Sequence, residues 1–452
     1  MGYRVPQHID QNQIFLVNYS ELEGRWDPQY LRCIDSIHKD IILRSKFPIF
    51  ILGKICNIVR GRFGHRPRND PKFYNGEYPF IQTGDIAEAS ITGEKIQYTQ
   101  TLNALGLLTS RLFLAPQLMM TIAANIGDTA ILTYNACVPD SIVAIQPIDN
   151  QVLIEYLNIY FKITKLYLYN LAPYAAQRNI NNQQLYEFPI VLPDVHMQQQ
   201  IVDKYNTAST LRRVKLVLAQ QKLTSIDDYL LVELGISIPK NDFQELNDRI
   251  FSVRFKDVVD NRFDPFYYLV SGKKVTSTSF ANTQLKDIAN IVKGNSITSD
   301  AVNKNGQYPV IAGGQTSPYN HDQYNFGGNV ISISASGAYS GYVWYHEKPI
   351  FASDCSVIYS KDETKFLTRY IFEVLKLQQP HIYNLQQGAG QPHVYPEDLG
   401  KLIIPEVPLD KQTEIVAHIS SIRAEAKALE IQAEEVLTKA REEVERMIMN
   451  KA

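Results

Sequence analysis

The chain reads as an α+β protein: two tandem, similar mixed α/β domains separated by two long helices that form an antiparallel coiled coil, with a pseudo-two-fold relating the halves. Three observations predict this. A short phrase occurs twice, as Leu192-Pro193 with Gln198 and Ile201-Val202, and as Pro408-Leu409 with Gln412 and Ile415-Val416. Each phrase is followed by a run of helical apolar spacing. The sequence before each phrase is itself repeated, with its landmarks in the same order.

The landmarks begin with Ile14-Phe15-Leu16-Val17-Asn18-Tyr19 and Arg25-Trp26-Asp27-Pro28-Gln29-Tyr30. These return as Ile250-Phe251-Ser252-Val253-Arg254-Phe255 and Arg262-Phe263-Asp264-Pro265-Phe266-Tyr267. Tyr78-Pro79-Phe80-Ile81 matches Tyr308-Pro309-Val310-Ile311; Gly127 and Asp140 match Gly341 and Asp354; Tyr169-Asn170-Leu171 matches Tyr383-Asn384-Leu385. The offset falls from 237 at Asp27 and Asp264, through 230 at Tyr78 and Tyr308, to 214 from Gly127 onward, so the first copy carries the longer insertions. Such a period far exceeds the roughly 20 to 50 residues of solenoids, so each copy should own a core. Inside a copy, β-rich runs at Met119 to Asn125, Thr129 to Tyr134 and Ser141 to Gln146 are echoed by Asn329 to Ser336, Tyr342 to His346 and Cys355 to Ser360. A helix is predicted after each set, at Leu153 to Tyr169 and at Phe366 to Leu377.

In the centre, Ile201, Tyr205, Ala208, Leu211, Val214 and Leu218 form an apolar helical face. Thr224-Ser225 ahead of Asp227-Asp228 predict a new N-cap, so a short helix follows the long one, and Gly235 is its stop. At the end of the chain, Ile415, Ile419, Ile422, Ala426, Leu429, Ala433, Val436, Ala440 and Met447 make a four-three seam broken only at Glu443. A helix from Glu414 to Met449 would reach roughly 50 Å, and the central helix is its nearest partner. The expected domains are 1–192, the spacer 193–235, 236–404 and the terminal helix 405–452.

Composition excludes several classes. With 452 residues, 45% of them hydrophobic, the chain has room for two or three cored domains. A net charge of -2 gives no global attraction to a polyanion, so any such site must be a local patch. Cys33, Cys56, Cys137 and Cys355 lie far apart without CxxC or His spacing, which argues against disulfides and zinc and fits a reducing, cytoplasmic setting. There is no signal pattern, no apolar run of about 18 residues, and Pro6 stands where an acylation signal wants Ser or Thr.

Paired phrases, the Tyr78-Pro79 and Tyr308-Pro309 landmarks and two long helices resemble the specificity subunit of type I restriction-modification systems, from about Ile14 to the C-terminus. The first copy departs from the family phrase at Val195-His196. The resemblance implies two target recognition domains reading the halves of a split, asymmetric site in double-stranded DNA, in defence against foreign DNA. It implies helices that act as ruler and as dock for methyltransferase (modification) subunits, with an ATP-dependent restriction subunit as a further partner. No membrane partner is expected. The chain itself would be non-catalytic and hold no cofactor; S-adenosylmethionine, ATP and Mg would belong to partner subunits. Two similar readers on a stiff spacer also suit half-sites about one helical turn, roughly 34 Å, apart.

Candidate DNA contacts follow from residue type. Arg60, Arg62, Arg66 and Arg68 form the densest basic segment, with glycines that admit backbone N–H groups, and Lys293-Gly294 is its thinner counterpart. After each Tyr-Pro landmark comes a polar turn, with Gln82 and Thr83 in one copy and Gln315 and Thr316 in the other. Amide-rich loops supply Gln177, Arg178 and Asn179, and Gln391 and His393, while Asn125, Ser336 and Tyr339 stand at strand ends beside them. The plain alternative for each is an ordinary solvated loop or turn.

An adenine methyltransferase is one rival, since Asp27-Pro28-Gln29-Tyr30 and Asp264-Pro265-Phe266-Tyr267 approach an Asp-Pro-Pro-Tyr motif. Both lack the second proline, and no glycine-rich cofactor fingerprint follows a strand. Pro139-Asp140 lacks the partners of a nuclease site, Gly272-Lys273-Lys274 lacks the upstream glycine of a P-loop, and the nine histidines are scattered. A coiled-coil interaction scaffold without DNA is the other rival, which 27 tyrosines would also suit.

Overall fold

Each copy of the repeat is built on a four-stranded antiparallel sheet, and the two sheets have the same strand order. The computed structural model describes residues 37–64, 69–172, 179–237, 254–258, 275–298, 302–303, 305–388 and 390–449. The opening landmarks, Ile14 to Tyr30 and most of Ile250 to Tyr267, lie outside these residues. The chain forms two compact units: unit 1 is Met1–Val217 with Glu430–Ala452, and unit 2 is Leu218–Leu429.

Unit 1 contains β1 (Cys56–Arg60), α1 (Thr83–Thr92), β2 (Gln117–Thr121), β3 (Thr129–Leu132) and β4 (Ile142–Pro147). Its sheet runs β1-β4-β2-β3. The central strands are apolar without alternation because both faces are covered. One face meets α2 (Ile154–Ile163), whose Tyr156, Tyr160 and Phe161 join the main core; the other meets α1 through Ile86 and Ala89. The helix expected over Leu153 to Tyr169 divides at Thr164, where the hydroxyl donates back to the Tyr160 carbonyl at 2.8 Å and α3 (Lys165–Leu171) begins. The long helix α4 (Val195–Glu233) follows.

Unit 2 repeats the plan with β5 (Ala289–Lys293), β6 (Tyr308–Ile311), β7 (Val330–Ser334), β8 (Val343–His346) and β9 (Cys355–Ser360). The sheet order is β5-β9-β7-β8, and α5 (Thr368–Leu377) packs on it as α2 does in unit 1. Gly127 and Gly341, matched in the sequence, both take left-handed φ values, 82° and 93°. The second long helix is α6 (Leu409–Ile448).

The repeated phrase has a physical reason. Gln198 is wholly buried and bridges three segments: its Oε1 accepts from Leu153 N–H at 2.9 Å, and its Nε2 donates to the carbonyls of Gln151 and Pro193, each at 2.8 Å. Gln412 does the same in unit 2, accepting from Leu367 N–H and donating to Lys365 and Val407, all at 2.8 Å. A tyrosine reinforces each joint: the Tyr156 hydroxyl donates to the Val191 carbonyl at 2.5 Å and the Tyr370 hydroxyl to Pro405 at 2.9 Å. At the departure from the family phrase, Asp194 supplies a cap instead, its carboxylate accepting from Met197 N–H at 2.9 Å.

Within each unit the long helices pair antiparallel. In unit 1 Lys204 meets Glu443, Arg212 meets Glu434 and Lys215 meets Gln432; in unit 2 Lys222 meets Glu425, the Tyr229 ring lies tilted against His418 and Lys411 meets Glu233. Three details of the expected helices change. First, α4 is one helix to Glu233, because Thr224 and Ser225 donate back to the Gln220 and Lys222 carbonyls instead of capping; Gly235 is the stop, at φ 56°. Second, the α6 seam runs through Leu437, Val444 and Ile448, not Val436 and Met447. A straight helix drifts off a strict seven-residue period, and Glu443 turns outward to Lys204. Third, Leu211, Val214 and Leu218 are 44–47% exposed: the inward positions of α6 near them include Ala426 and Ala433, whose short side chains cover only a narrow strip.

Candidate nucleic-acid interface

The unit 1 sheet ends in a rim where the C-terminal ends of β1 and β2 meet the starts of β3 and β4. Gly61 leaves β1 there because a Cβ would collide with the Pro139 carbonyl; its N–H donates to Ile142 and that of Arg62 to Val138. The Arg60 guanidinium donates to the Asp140 carbonyl at 2.5 Å, so this arginine is half-buried and braces the turn, while the Arg62 side chain is exposed. Arg111 donates to the Arg60 carbonyl at 3.2 Å and the Ser110 hydroxyl to that of Arg62 at 2.7 Å. Arg66 and Arg68 lie outside the described residues.

Between β2 and β3 the chain turns through Ala124 at φ 61°, and Asn125 is exposed. Beneath it, buried Asp128 accepts from Lys165 at 2.6 Å, which secures the loop to α3. Asn179 is exposed beside it, through a bridge with Ala123 and an Ile180 N–H bond to the Ile122 carbonyl at 3.0 Å. Gln177 and Arg178 lie outside the described residues. Gln82 and Thr83 begin α1: Gln82 N–H donates to the Asp85 carboxylate at 2.7 Å and its amide to Gln100 at 3.2 Å. Their half-buried side chains are thus partly engaged in starting a helix, close to the Val138 turn through the Ile81 N–H bond to Cys137.

The unit 2 rim repeats this construction with other side chains. Gly294 leaves β5 where a Cβ would strike the Ser353 carbonyl, as Gly61 does against Pro139. A Cβ on Gly313 would lie 2.6 Å from the Ser336 carbonyl and 3.3 Å from the Asp354 carboxylate, so the polar turn carrying exposed Gln315 and Thr316 abuts the β7–β8 loop. Ser336 donates its hydroxyl to Asp354 and bridges to His393; Gly337 N–H donates to Pro392 and Val394 N–H to Ala335, both at 3.0 Å. Gln391 and Tyr339 are exposed, while His393 is half-buried and stacks with Tyr395 at 6.2 Å. Gln315, Thr316, Ser336, Tyr339, Gln391 and His393 are therefore gathered on one surface from three segments.

Sequence reasoning missed Arg111, Asp354 as the group that orients Ser336, and exposed Tyr395. Only sheet register carries Arg111 to Arg60, while the repetition of Asp140 as Asp354 was a usable signal for the turn. Among the described residues, no three His, Cys, Asp or Glu side chains gather in a way that could hold a metal ion. No helix of the described residues is long and apolar enough to cross a membrane.

The family model for the type I restriction modification DNA specificity domain matches twice, at residues 45–210 and 278–439. The chain belongs to that family. Each match carries one rim and the root of one long helix, so the specificity-domain signature and the internal repeat describe the same unit. A putative type I specificity subunit of Mycoplasma pneumoniae is 30% identical over 112 residues, which is 23% of this chain and 36% of that relative's length. Among solved structures, a chain from work on complex assembly and conformational transition of the type I R-M system aligns over 89% of this chain and 98% of its own, at 14% identity and a TM-score of 0.50. The S subunit of a type I restriction-modification system from M. genitalium aligns over 90% and 96%, at 13% identity and a TM-score of 0.47.

Proposed function

We propose that this member of the specificity family is the DNA-reading subunit of a type I complex, and that its two rims read the two halves of a bipartite, asymmetric duplex target. One observation carries the reading. The same rim is built twice from the same backbone devices, yet it presents Arg62, Asn125 and Asn179 in unit 1 and Gln315, Tyr339, Gln391 and His393 in unit 2. Arginine suits phosphates and guanine edges, and amides suit adenine, so two differently furnished rims favour two different half-sites. The exposed apolar strip of α4 at Leu211, Val214 and Val217, with Ile431 on α6, is the surface on which methyltransferase subunits would dock. The chain selects, and its partners carry the chemistry with S-adenosylmethionine, and with ATP and Mg where a restriction subunit joins. Each domain, 1–192 and 236–404, then corresponds to one half-site.

The test replaces residues 14 to 190 with those of a relative and maps methylated sites in the presence of the methyltransferase subunits. One half of the target should change and the other stay. A change in both halves, or in neither, refutes the assignment.

A further inference from the structure

At the root of each long helix lies a cleft that the rims do not use. In unit 2 it holds about 500 Å³, and in unit 1 about 240 Å³. The two are the same place in the repeat: at the offset of 214, Ala130, Ile131, Glu155, Asn158, Lys162 and Ser209 become Trp344, Tyr345, Arg369, Phe372, Lys376 and Arg423. Of these pairs only the lysine is kept.

In unit 1 the C-terminal end of α1 forms one wall of the cleft. Lys162 Nζ donates to the Ser90 carbonyl at 3.2 Å and Arg212 Nη1 to the Ile91 carbonyl at 3.1 Å, while Gly93 ends the helix at φ 73°. Cations thus receive the last carbonyls of a helix, where its dipole is negative. In unit 2 residues 312–329, between β6 and β7, contain no helix, and the larger cleft lies open. Lys376 keeps the place of Lys162, but with no helix end beside it its Nζ donates to the Val343 carbonyl at 3.1 Å and to Gln379 Oε1 at 3.3 Å and lies 4.2 Å over the Tyr342 ring; Arg423 stands one turn before the position matching Arg212. Arg369 lies 4.2 Å over the Tyr345 ring, and exposed Lys348 stands at the mouth. Against these four cations stand Glu347 in the lining and, behind it, the buried Glu373, which accepts from both Nη atoms of Arg423 and from Nε of Arg369, and Asp227, whose charge acts on Lys376 and Arg423.

We propose that the unit 2 cleft receives the C-terminal end of a helix from a partner protein, in the position that α1 fills from within the chain in unit 1. Trp344, Tyr345 and Phe372 hold its apolar side, and exposed Lys348, with Lys376 exchanging the Val343 carbonyl for the newcomer, meets its terminal carbonyls or carboxylate, while Arg423 stays paired with Glu373. The inference is independent of DNA reading.

Trp344 is one of two tryptophans, so Trp26→Phe in the full chain leaves a single reporter in the cleft. The probe is a roughly 15-residue alanine-based helical peptide ending in leucine with a free carboxylate, long enough to hold helix when side-chain linked. Saturable change in Trp344 emission is expected, weakened about tenfold by amidating the peptide's end and by Lys376→Met or exposed Lys348→Ala, both of which leave the Arg423–Glu373 pair in place. No saturable change, or equal binding by the amide and by both variants, overturns the proposal. So does displacement of the reporter signal by a short duplex DNA in place of the peptide.

Discussion

At the root of its long helix each unit sets a buried glutamine against the same three kinds of partner and a tyrosine hydroxyl against the carbonyl of the preceding strand. On the rim, unit 1 presents Arg62, beside Arg60 and Arg111, with exposed Asn125 and Asn179, whereas unit 2 presents a serine held by an aspartate, a half-buried histidine and exposed Gln315 and Gln391. In the cleft, a lysine is common to both units, while the other matched positions carry Ala130, Ile131, Glu155, Asn158 and Ser209 in one unit and aromatics and arginines in the other. What must bridge segments inside the unit is kept, because a buried polar group has few substitutes. What faces outward has diverged, and on the proposed reading those places are where the ligands of the two units would differ.

Breaking the shared part should have the largest effect. Gln198→Leu and Gln412→Leu keep the volume but leave one buried N–H and two carbonyls without partners, which should cost about 3–5 kcal/mol in the affected unit. Hydrogen exchange at Leu153 N–H for the first variant and Leu367 N–H for the second should speed up together with their units. If one variant exchanged at the wild-type rate, the two joints would not be equivalent.

Next comes a difference inside the units. His346 is buried against Trp344 and bonded to Ser332 at 2.8 Å, and burial pushes its pKa down from 6.5 to about 4; unit 1 has Leu132 in its place. Below pH 6.5 the unfolded chain takes up a proton that folded unit 2 refuses, so stability falls as pH falls and the loss ends near pH 4, at most about 3 kcal/mol in all. Urea unfolding followed by Trp344 fluorescence in the Trp26→Phe chain should show this slope, and adding Ser332→Ala with His346→Leu should flatten it, leaving the share of His381, whose pKa burial also lowers. An unchanged slope would place the acid sensitivity of unit 2 elsewhere.

Much of this comparison could be read from the sequence, and the limits have physical causes. Gln198 and Gln412 were visible as a phrase because an interior joint demands the same atoms twice. The overall course of both long helices was visible in their spacing. Thr224 and Ser225 misled because their hydroxyls satisfy a backbone carbonyl as readily as they cap a helix. Leu211 and Val214 misled because periodicity finds an apolar side but not how much of it a partner covers. On the rim, Gln82 and Thr83 read as a polar turn in the sequence, yet they begin α1, and much of the bonding of Gln82 serves that start. The cleft was invisible: its lining comes from a strand, a helix and a long helix far apart in the chain, and only the fold brings Trp344, Arg369 and Arg423 together.

The finest test separates the two rims by the kind of contact each makes. Exposed Arg62 sits on a backbone turn that glycine keeps thin, the geometry of a phosphate contact, so Arg62→Ala should weaken duplex binding by about 1–2 kcal/mol whatever the sequence and lower the salt slope by about one unit. His393, fixed by its bridge to Ser336 and its stacking on Tyr395, has the rigidity needed to read a base edge. His393→Ala should therefore relax discrimination at one position by about 1 kcal/mol and leave the salt slope alone. Both can be measured by duplex anisotropy across salt concentrations with the methyltransferase subunits present, alongside the methylation map. Equal salt slopes for the two variants would mean that both rims use one mode of contact, and the contrast between Arg62 on one rim and His393 on the other would then set only which bases are read, not how.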